Sequence, residues 1–441
     1  MVLADRMFSL VLLLNLTGLF SFVAPLLNVK VATVSVLMLA LNLAYLGYRA
    51  PRAWTAVQRL PVAAWLVVVL AWPLLTVAYA PVLSLRNIGL QLYYASLLVA
   101  ATVYVSVCGW RAMQRLAGAA VVVTLFGLLL SAAMPELFAA VARLTESRDQ
   151  FNGRPFGFFM QPNMAAENSI YMSVLWLAGD RQVSVSRTWY RVAVMCATVL
   201  ITGSRSGFAV ALVVGLLALM QAGAAASGGR VRYTRGVRVL RATSVVLVVA
   251  VSFGLLLSVL STARSGLVGF GLERVRSVLE FSSGNQVSAD GSGAERLVAM
   301  AQYAGFIQQR PLTGYGLGAN DHYKQAGLLI RSSHNTYLEA GFLYGVPFVL
   351  FWVGVMLAMT RHPARAEVEA ALNSGLVLQL MAALAITALT SNTTLDSRVL
   401  QTGLGAMLGA LAFPSRLRTP ARAPARPVHA PAVAAPAPEP V

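Results

Sequence analysis

Long apolar runs separated by short polar segments form the main pattern of this chain. Twelve runs are candidates for membrane-spanning helices, because about 20 apolar residues in helical form cross a bilayer. They lie near residues 8–27, 31–48, 62–80, 87–108, 115–134, 164–179, 189–203, 205–222, 239–261, 337–359, 371–390 and 399–413. The pattern predicts an all-α polytopic membrane protein with about 12 transmembrane helices, of which the sixth, seventh and twelfth are short.

The composition supports this prediction. Of 441 residues, 58% are apolar and only 11% are charged, whereas soluble domains carry roughly 25% charged residues. The mean hydropathy is +0.69. These values exclude a cytosolic enzyme, a secreted disulfide scaffold and a disordered protein.

The net charge of +18 is explained by membrane topology. With both termini in the cytoplasm, 20 of the 34 Lys and Arg lie in cytoplasmic segments, and only seven lie in short outer segments. This asymmetry follows the positive-inside rule, which largely ignores long loops. The basic residues also favour contact with anionic membrane lipids, so no nucleic acid is needed to account for them.

The polar segments divide the chain into four parts. Residues 1–261 hold the first nine predicted helices, 262–333 form one long periplasmic loop, and 334–413 hold the last three helices. Residues 414–441, rich in Pro, Ala and Arg, are expected to be a disordered cytoplasmic tail. Within the long loop, apolar positions at helical spacing in 294–308 predict an amphipathic helix on or near the membrane.

No cofactor or metal site is expected. The glycine-rich residues 311–318 lack the Gly-Lys-Ser/Thr ending of a nucleotide loop. The acidic residues on the outer side are scattered, and neither outer histidine pairs with another at the spacing of metal ligands. Glu167 and Asp396 adjoin predicted helices, and their spacing assigns them no role.

Two of the four histidines, His322 and His334, lie on the outer side. His334 comes directly before the tenth predicted helix, where Thr336 and Glu339 fit a capping box. A helix N-terminus attracts anions, because its unpaired N–H groups and its dipole favour negative charge. His334 is therefore a candidate to face a bound phosphate, and its alternative is an ordinary residue at a helix entrance.

Three outer arginines are candidates for binding phosphate. Arg205 lies in a very short turn, residues 202–207, among small residues that would let a ligand come close. A guanidinium binds phosphate through two parallel hydrogen bonds. Arg154 lies in an earlier outer loop and Arg296 on the amphipathic helix. The alternative for Arg205 is an arginine that extends to the membrane surface, and for the other two an exposed interfacial charge.

Several motifs occur in a characteristic order. They are Gly-Arg-Pro-Phe-Gly and Gln-Pro-Asn within 153–163, Thr-Gly-Ser-Arg-Ser-Gly at 202–207, Glu-Arg at 295–296, the glycine-rich 311–318 and Ser-His-Asn-Thr-Tyr-Leu-Glu at 333–339. In this order the chain resembles the O-antigen ligase and polymerase superfamily over residues 150–345, and it is closest to the ligases. The resemblance implies a glycosyltransferase architecture of the GT-C-like type.

The resemblance also implies an activity. Such enzymes transfer O-antigen glycan from undecaprenyl diphosphate to a sugar hydroxyl of lipid A–core, on the periplasmic face of the bacterial inner membrane, during lipopolysaccharide biosynthesis. It implies no metal and no cofactor, and inversion at the anomeric carbon. It assigns catalysis to His334 and diphosphate binding to Arg205, Arg296 and Arg154. We expect supporting roles for Gln161, Asn163, Asn335 and Glu339.

Two other functions stay open at this point. An O-antigen polymerase of the same superfamily would use a second lipid-linked glycan as the acceptor. A lipid-linked oligosaccharide transporter would use the arginines only to conduct a headgroup, and it would show inverted repeats. No internal repeat is visible in the sequence.

Overall fold

A computed structural model describes residues 2–144, 154–159, 161–178, 185–226, 292–329, 332–372, 375–391 and 394–417. The described residues form helices joined by short turns and contain no strand. The all-α prediction is therefore confirmed. The ninth predicted helix, the first part of the long loop and residues 418–441 lie outside the described residues.

We number the described helices in chain order. They are α1 (Leu3–Thr17), α2 (Leu19–Leu26), α3 (Val31–Tyr48), α4 (Ala50–Val57), α5 (Leu60–Tyr79), α6 (Leu85–Cys108), α7 (Trp110–Ala133), α8 (Pro135–Leu144), α9 (Pro162–Leu177), α10 (Val185–Ile201), α11 (Arg205–Ala226), α12 (Ser292–Gln309), α13 (Ala319–Gln325), α14 (Thr336–Tyr344), α15 (Val346–Thr360), α16 (Arg365–Leu372), α17 (Leu376–Thr390) and α18 (Arg398–Ala412).

The number of membrane spans differs from the predicted twelve. Among the described residues, four helices, α5, α6, α7 and α11, are long and apolar enough to cross a membrane. The count rises to six if each bent pair, α1 with α2 and α3 with α4, is one span; these pairs bend by 86° and 97°. Several predicted spans are present as shorter helices, so twelve spans are not confirmed.

The tightest helix contact joins α6 to α18. Gly405 and Gly409 lie four residues apart on α18, a spacing that lets two helix backbones approach closely. A Cβ on Gly409 would lie 2.7 Å from the Thr102 carbonyl oxygen. Thr102 also donates from Oγ1 to the Gly405 carbonyl, at 3.0 Å. Beside this pair, α9 is buried along almost its whole length.

The tenth predicted helix, residues 337–359, is two helices. The chain breaks at Gly345, whose φ of 84° lies in the left-handed region that favours glycine. The glycine-rich segment 311–318 packs against this break. Its Gly316 N–H donates to the Leu343 carbonyl at 2.8 Å, and the Pro311 carbonyl accepts from the Val346 N–H at 2.7 Å.

The same glycine-rich segment also holds the end of α5. The Tyr79 hydroxyl donates to the Thr313 carbonyl at 2.7 Å, and the Leu317 N–H donates to Thr76 Oγ1 at 3.1 Å. At Gly316 a Cβ would lie 2.7 Å from the Thr76 carbonyl oxygen. The glycines therefore permit close packing of protein on protein.

The predicted amphipathic helix is present as α12. Ala299 and Tyr303 are fully buried, whereas Ala301 is exposed. Tyr303 packs edge-on against Phe342 of α14, with ring centres 5.2 Å apart. The buried side of α12 thus faces α14 through a cluster of aromatic rings.

Candidate active site

The first group of candidate residues surrounds the start of α9. Arg154 is half-buried and donates from Nη2 to Asn163 Oδ1 and from Nε to the Thr202 carbonyl, each at 3.1 Å. Pro162 occupies the first turn of α9, where a missing N–H costs nothing, and Gln161 is its N-cap residue. Arg154 thus links the start of α9 to Thr202, which follows Arg154 by 48 positions in the sequence.

The second group is the turn that leads into α11. Ser204 caps this helix, because its Oγ accepts from the Gly207 N–H at 3.2 Å. Gly207 lies so close to α9 that a Cβ there would be 2.8 Å from Ala166 Cβ. Arg205 is the first residue of α11, and its side chain lies outside the described atoms. The Arg205 backbone therefore follows the same turn as Thr202, whose carbonyl accepts a hydrogen bond from Arg154.

The third group is the entrance to α14. His334 is half-buried and has a φ of 53°, which places a non-glycine residue in the left-handed region. Asn335 is the N-cap: its Oδ1 accepts from the Leu338 N–H at 3.1 Å. Ser333 Oγ accepts from the Asn335 N–H at 3.1 Å. His334 is thus held between a turn and a capped helix.

The capping box predicted at Thr336 and Glu339 is wrong. Thr336 is the first helical residue, and its hydroxyl donates to the Ser391 carbonyl. Glu339 instead accepts a hydrogen bond from Asn320, which accepts one from Tyr303. Burial raises the pKa of the Tyr303 hydroxyl, which keeps it a proton donor in this relay.

Ser391 links the entrances of α9 and α14. Its carbonyl accepts from Thr336, and its side chain lies beside the Glu167 carboxyl group. Glu167 is buried one turn after Asn163 on α9. These polar groups form a row that we call the polar path. In order, it consists of Arg154, Asn163, Glu167, Ser391 and Thr336, and Thr336 lies two residues after His334.

A small cleft with a volume of about 40 Å³ adjoins this path. Glu339 and Asp396 lie on its wall beside Gln91 of α6. Asp396 is exposed to the cleft, while protein atoms surround its carboxyl group. Limited solvation raises the pKa of Asp396 to about 6, and the nearby Asp321 carboxylate adds to the rise.

Two further candidates belong to other helices. Arg296 belongs to the first half of α12, and its side chain lies outside the described atoms. His322 is exposed on the short helix α13. The sequence analysis missed Thr202, Ser391 and Asn320, since each makes its contact with a residue distant in the sequence.

The fold and this end of the bundle define a helical protein with candidate membrane spans and with arginine, histidine and carboxylate groups near three helix entrances. Residues 191–353 match the family model of the O-Antigen ligases. This match supports the resemblance to the O-antigen ligase and polymerase superfamily over that part of the chain. No curated protein matches the chain.

Proposed function

We propose that the protein is an O-antigen ligase of the bacterial inner membrane. It transfers glycan from undecaprenyl diphosphate to a sugar hydroxyl of lipid A–core, with both termini in the cytoplasm and the site facing the periplasm. The observation that carries the proposal is the family match over 191–353, since this stretch includes Arg205, Arg296 and His334.

The arginines hold the diphosphate in this proposal. Arg154 is already oriented by Asn163 and Thr202, so its planar guanidinium loses little freedom when it binds an anion. Arg205 and Arg296 complete the positive environment. The diphosphate is the leaving group, and the positive charges stabilise the negative charge that grows on it in the transition state.

His334 is the general base. The acceptor hydroxyl oxygen attacks the anomeric carbon of the donor sugar, the bond from that carbon to the diphosphate oxygen breaks, and the imidazole takes the hydroxyl proton. A single displacement of this kind inverts the anomeric carbon. Asn335 supports His334 by capping α14, and Glu339 supports it by joining α14 to Asn320 of α13.

Purified protein in detergent, supplied with undecaprenyl-diphosphate-linked glycan and lipid A–core, tests the proposal. We expect a lipid A–core product that carries the glycan, and loss of that product in His334→Ala. A longer lipid-linked glycan formed without lipid A–core would show a polymerase instead. Movement of the lipid-linked glycan across a vesicle membrane without any joined product would show a transporter.

A further inference from the structure

The cleft beside α14 has one apolar wall and one polar wall. Val68, Val69 and Pro73 of α5 form part of the apolar wall. At residues 67–71 α5 contains a π-helical turn, a feature frequently found at functional sites. Glu339 and Asp396 belong to the polar wall. A largely apolar cleft with a few convergent polar groups is the usual form of a small-ligand site.

The charges of this cleft select against a diphosphate. Two carboxylates line the same space, and Asp321 is close enough to raise the pKa of one of them. A carboxylate accepts hydrogen bonds and repels phosphate oxygens, whereas sugar hydroxyls donate hydrogen bonds. The cleft therefore suits an uncharged, hydroxyl-rich group.

The cleft and Arg154 lie at opposite ends of the polar path. Arg154 contacts Asn163 at one end, and Thr336, at the other end, lines the cleft. The donor sugar is bonded directly to the diphosphate, so it must stay close to the arginines. A sugar bound beside Thr336 and the carboxylates therefore belongs to the second substrate.

We propose that the acceptor sugar inserts hydroxyl groups into this cleft, where Asp396 and Glu339 accept hydrogen bonds from them. The inference rests on the proposed function. Asn320 is a positioning residue that orients Glu339, and Gln91 lies beside Asp396 in the lining of the cleft. Glu339 is thus held in place before the sugar binds, which lowers the entropy lost on binding.

The test measures the acceptor and donor KM values separately in purified full-length protein. We expect Asp396→Asn and Glu339→Gln to raise the KM for lipid A–core about tenfold, the effect of losing one hydrogen bond to a charged group. The donor KM should stay within about twofold. Glu136→Gln is the matched control, because Glu136 is an exposed carboxylate on α8, away from the cleft.

A second variant tests the same cleft without changing a charge. Val69→Phe enlarges a side chain on the apolar wall, and it too should raise the acceptor KM. Val122→Phe, on an exposed face of α7, is its control. This pair decides the question if the carboxylate variants do not fold.

The outcomes separate the two proposals. If the wild type makes no joined product, the proposed function fails. If the wild type is active and the cleft variants keep the wild-type acceptor KM, the acceptor site is refuted. If the variants raise the donor KM instead, the cleft holds the donor glycan, and the inference is overturned.

Discussion

Replacing His334 by Gly separates its proposed chemical role from its backbone conformation. The residue has a φ of 53°, which glycine adopts freely and alanine does not. Both His334→Gly and His334→Ala remove the imidazole. They should therefore lose activity equally while they differ in stability.

The magnitudes follow from the geometry. A general base contributes about 10²–10⁴-fold to the rate, so both variants should lose activity by that factor. A left-handed backbone costs a non-glycine residue about 1–2 kcal/mol. Glycine gives back about 0.4–1 kcal/mol through the greater freedom of its unfolded chain. The Gly variant should therefore be more stable than the Ala variant by about 0.5–1 kcal/mol.

Thermal unfolding in detergent and ligation assays at several pH values provide the measurements. Free imidazole added to His334→Gly should restore part of the activity, and more at higher pH, where more of the added imidazole is a base. Wild-type activity in His334→Gly would refute the catalytic role. Rescue that increases on acidification would show a protonated phosphate ligand. Equal stability of the two variants would refute the argument from backbone strain.

Four further outcomes are expected. Arg205→Lys should recover little of the activity lost in Arg205→Ala, because Lys lacks the planar fork that binds diphosphate; full recovery in the ligation assay would leave Arg205 as an arginine that extends to the membrane surface. A chelator should leave turnover of the purified protein unchanged, and restoration by magnesium after a loss would contradict the metal-free mechanism. Gly409→Ala should destabilise the protein by about 1–3 kcal/mol in thermal unfolding, because the added Cβ would press on the Thr102 carbonyl. The control is Gly403→Ala, whose added Cβ would have no atom within 3.4 Å. This control variant should be as stable as the wild type or more stable. The pKa of Asp396 in the folded protein is raised to about 6, so its ionised carboxylate destabilises the fold increasingly from about pH 4 to pH 6. In thermal unfolding, Asp396→Asn should therefore be more stable than the wild type at pH 7 and similar to it near pH 4. An equal difference in stability at both pH values would contradict the raised pKa.

The local features of the site could be predicted from the sequence, since helix formation depends on nearby residues. The apolar run at 164–179 predicted α9 to within two residues at each end, and Pro162 lies in its first turn. The motif order also singled out Arg154 and Asn163, which form a hydrogen bond. Apolar runs located α6 and α7, because a long buried helix leaves a continuous pattern.

The features that depend on distant contacts could not be predicted. Thr336 resembled a capping residue, but its hydroxyl binds a carbonyl 55 residues later in the chain. The break at Gly345 interrupts an apolar run without any change in hydrophobicity, and the segment that packs against it begins at Pro311. The cleft draws on α5, α6, α14 and the turn before α18. No single segment carries its pattern.

The attachment of the glycine-rich segment to both α5 and α14 bears on how the cleft recognises a ligand. Tyr79 and Thr76 fasten this segment to one wall, and the carbonyl of Leu343 fastens it to the other. Two walls tied by one short backbone segment cannot separate or close independently. Selection in such a cleft depends on the shape and hydroxyl pattern of the ligand rather than on induced fit. Related acceptors that differ at one hydroxyl group should then be discriminated at the initial encounter, in their association and dissociation rates, without a slow closing step.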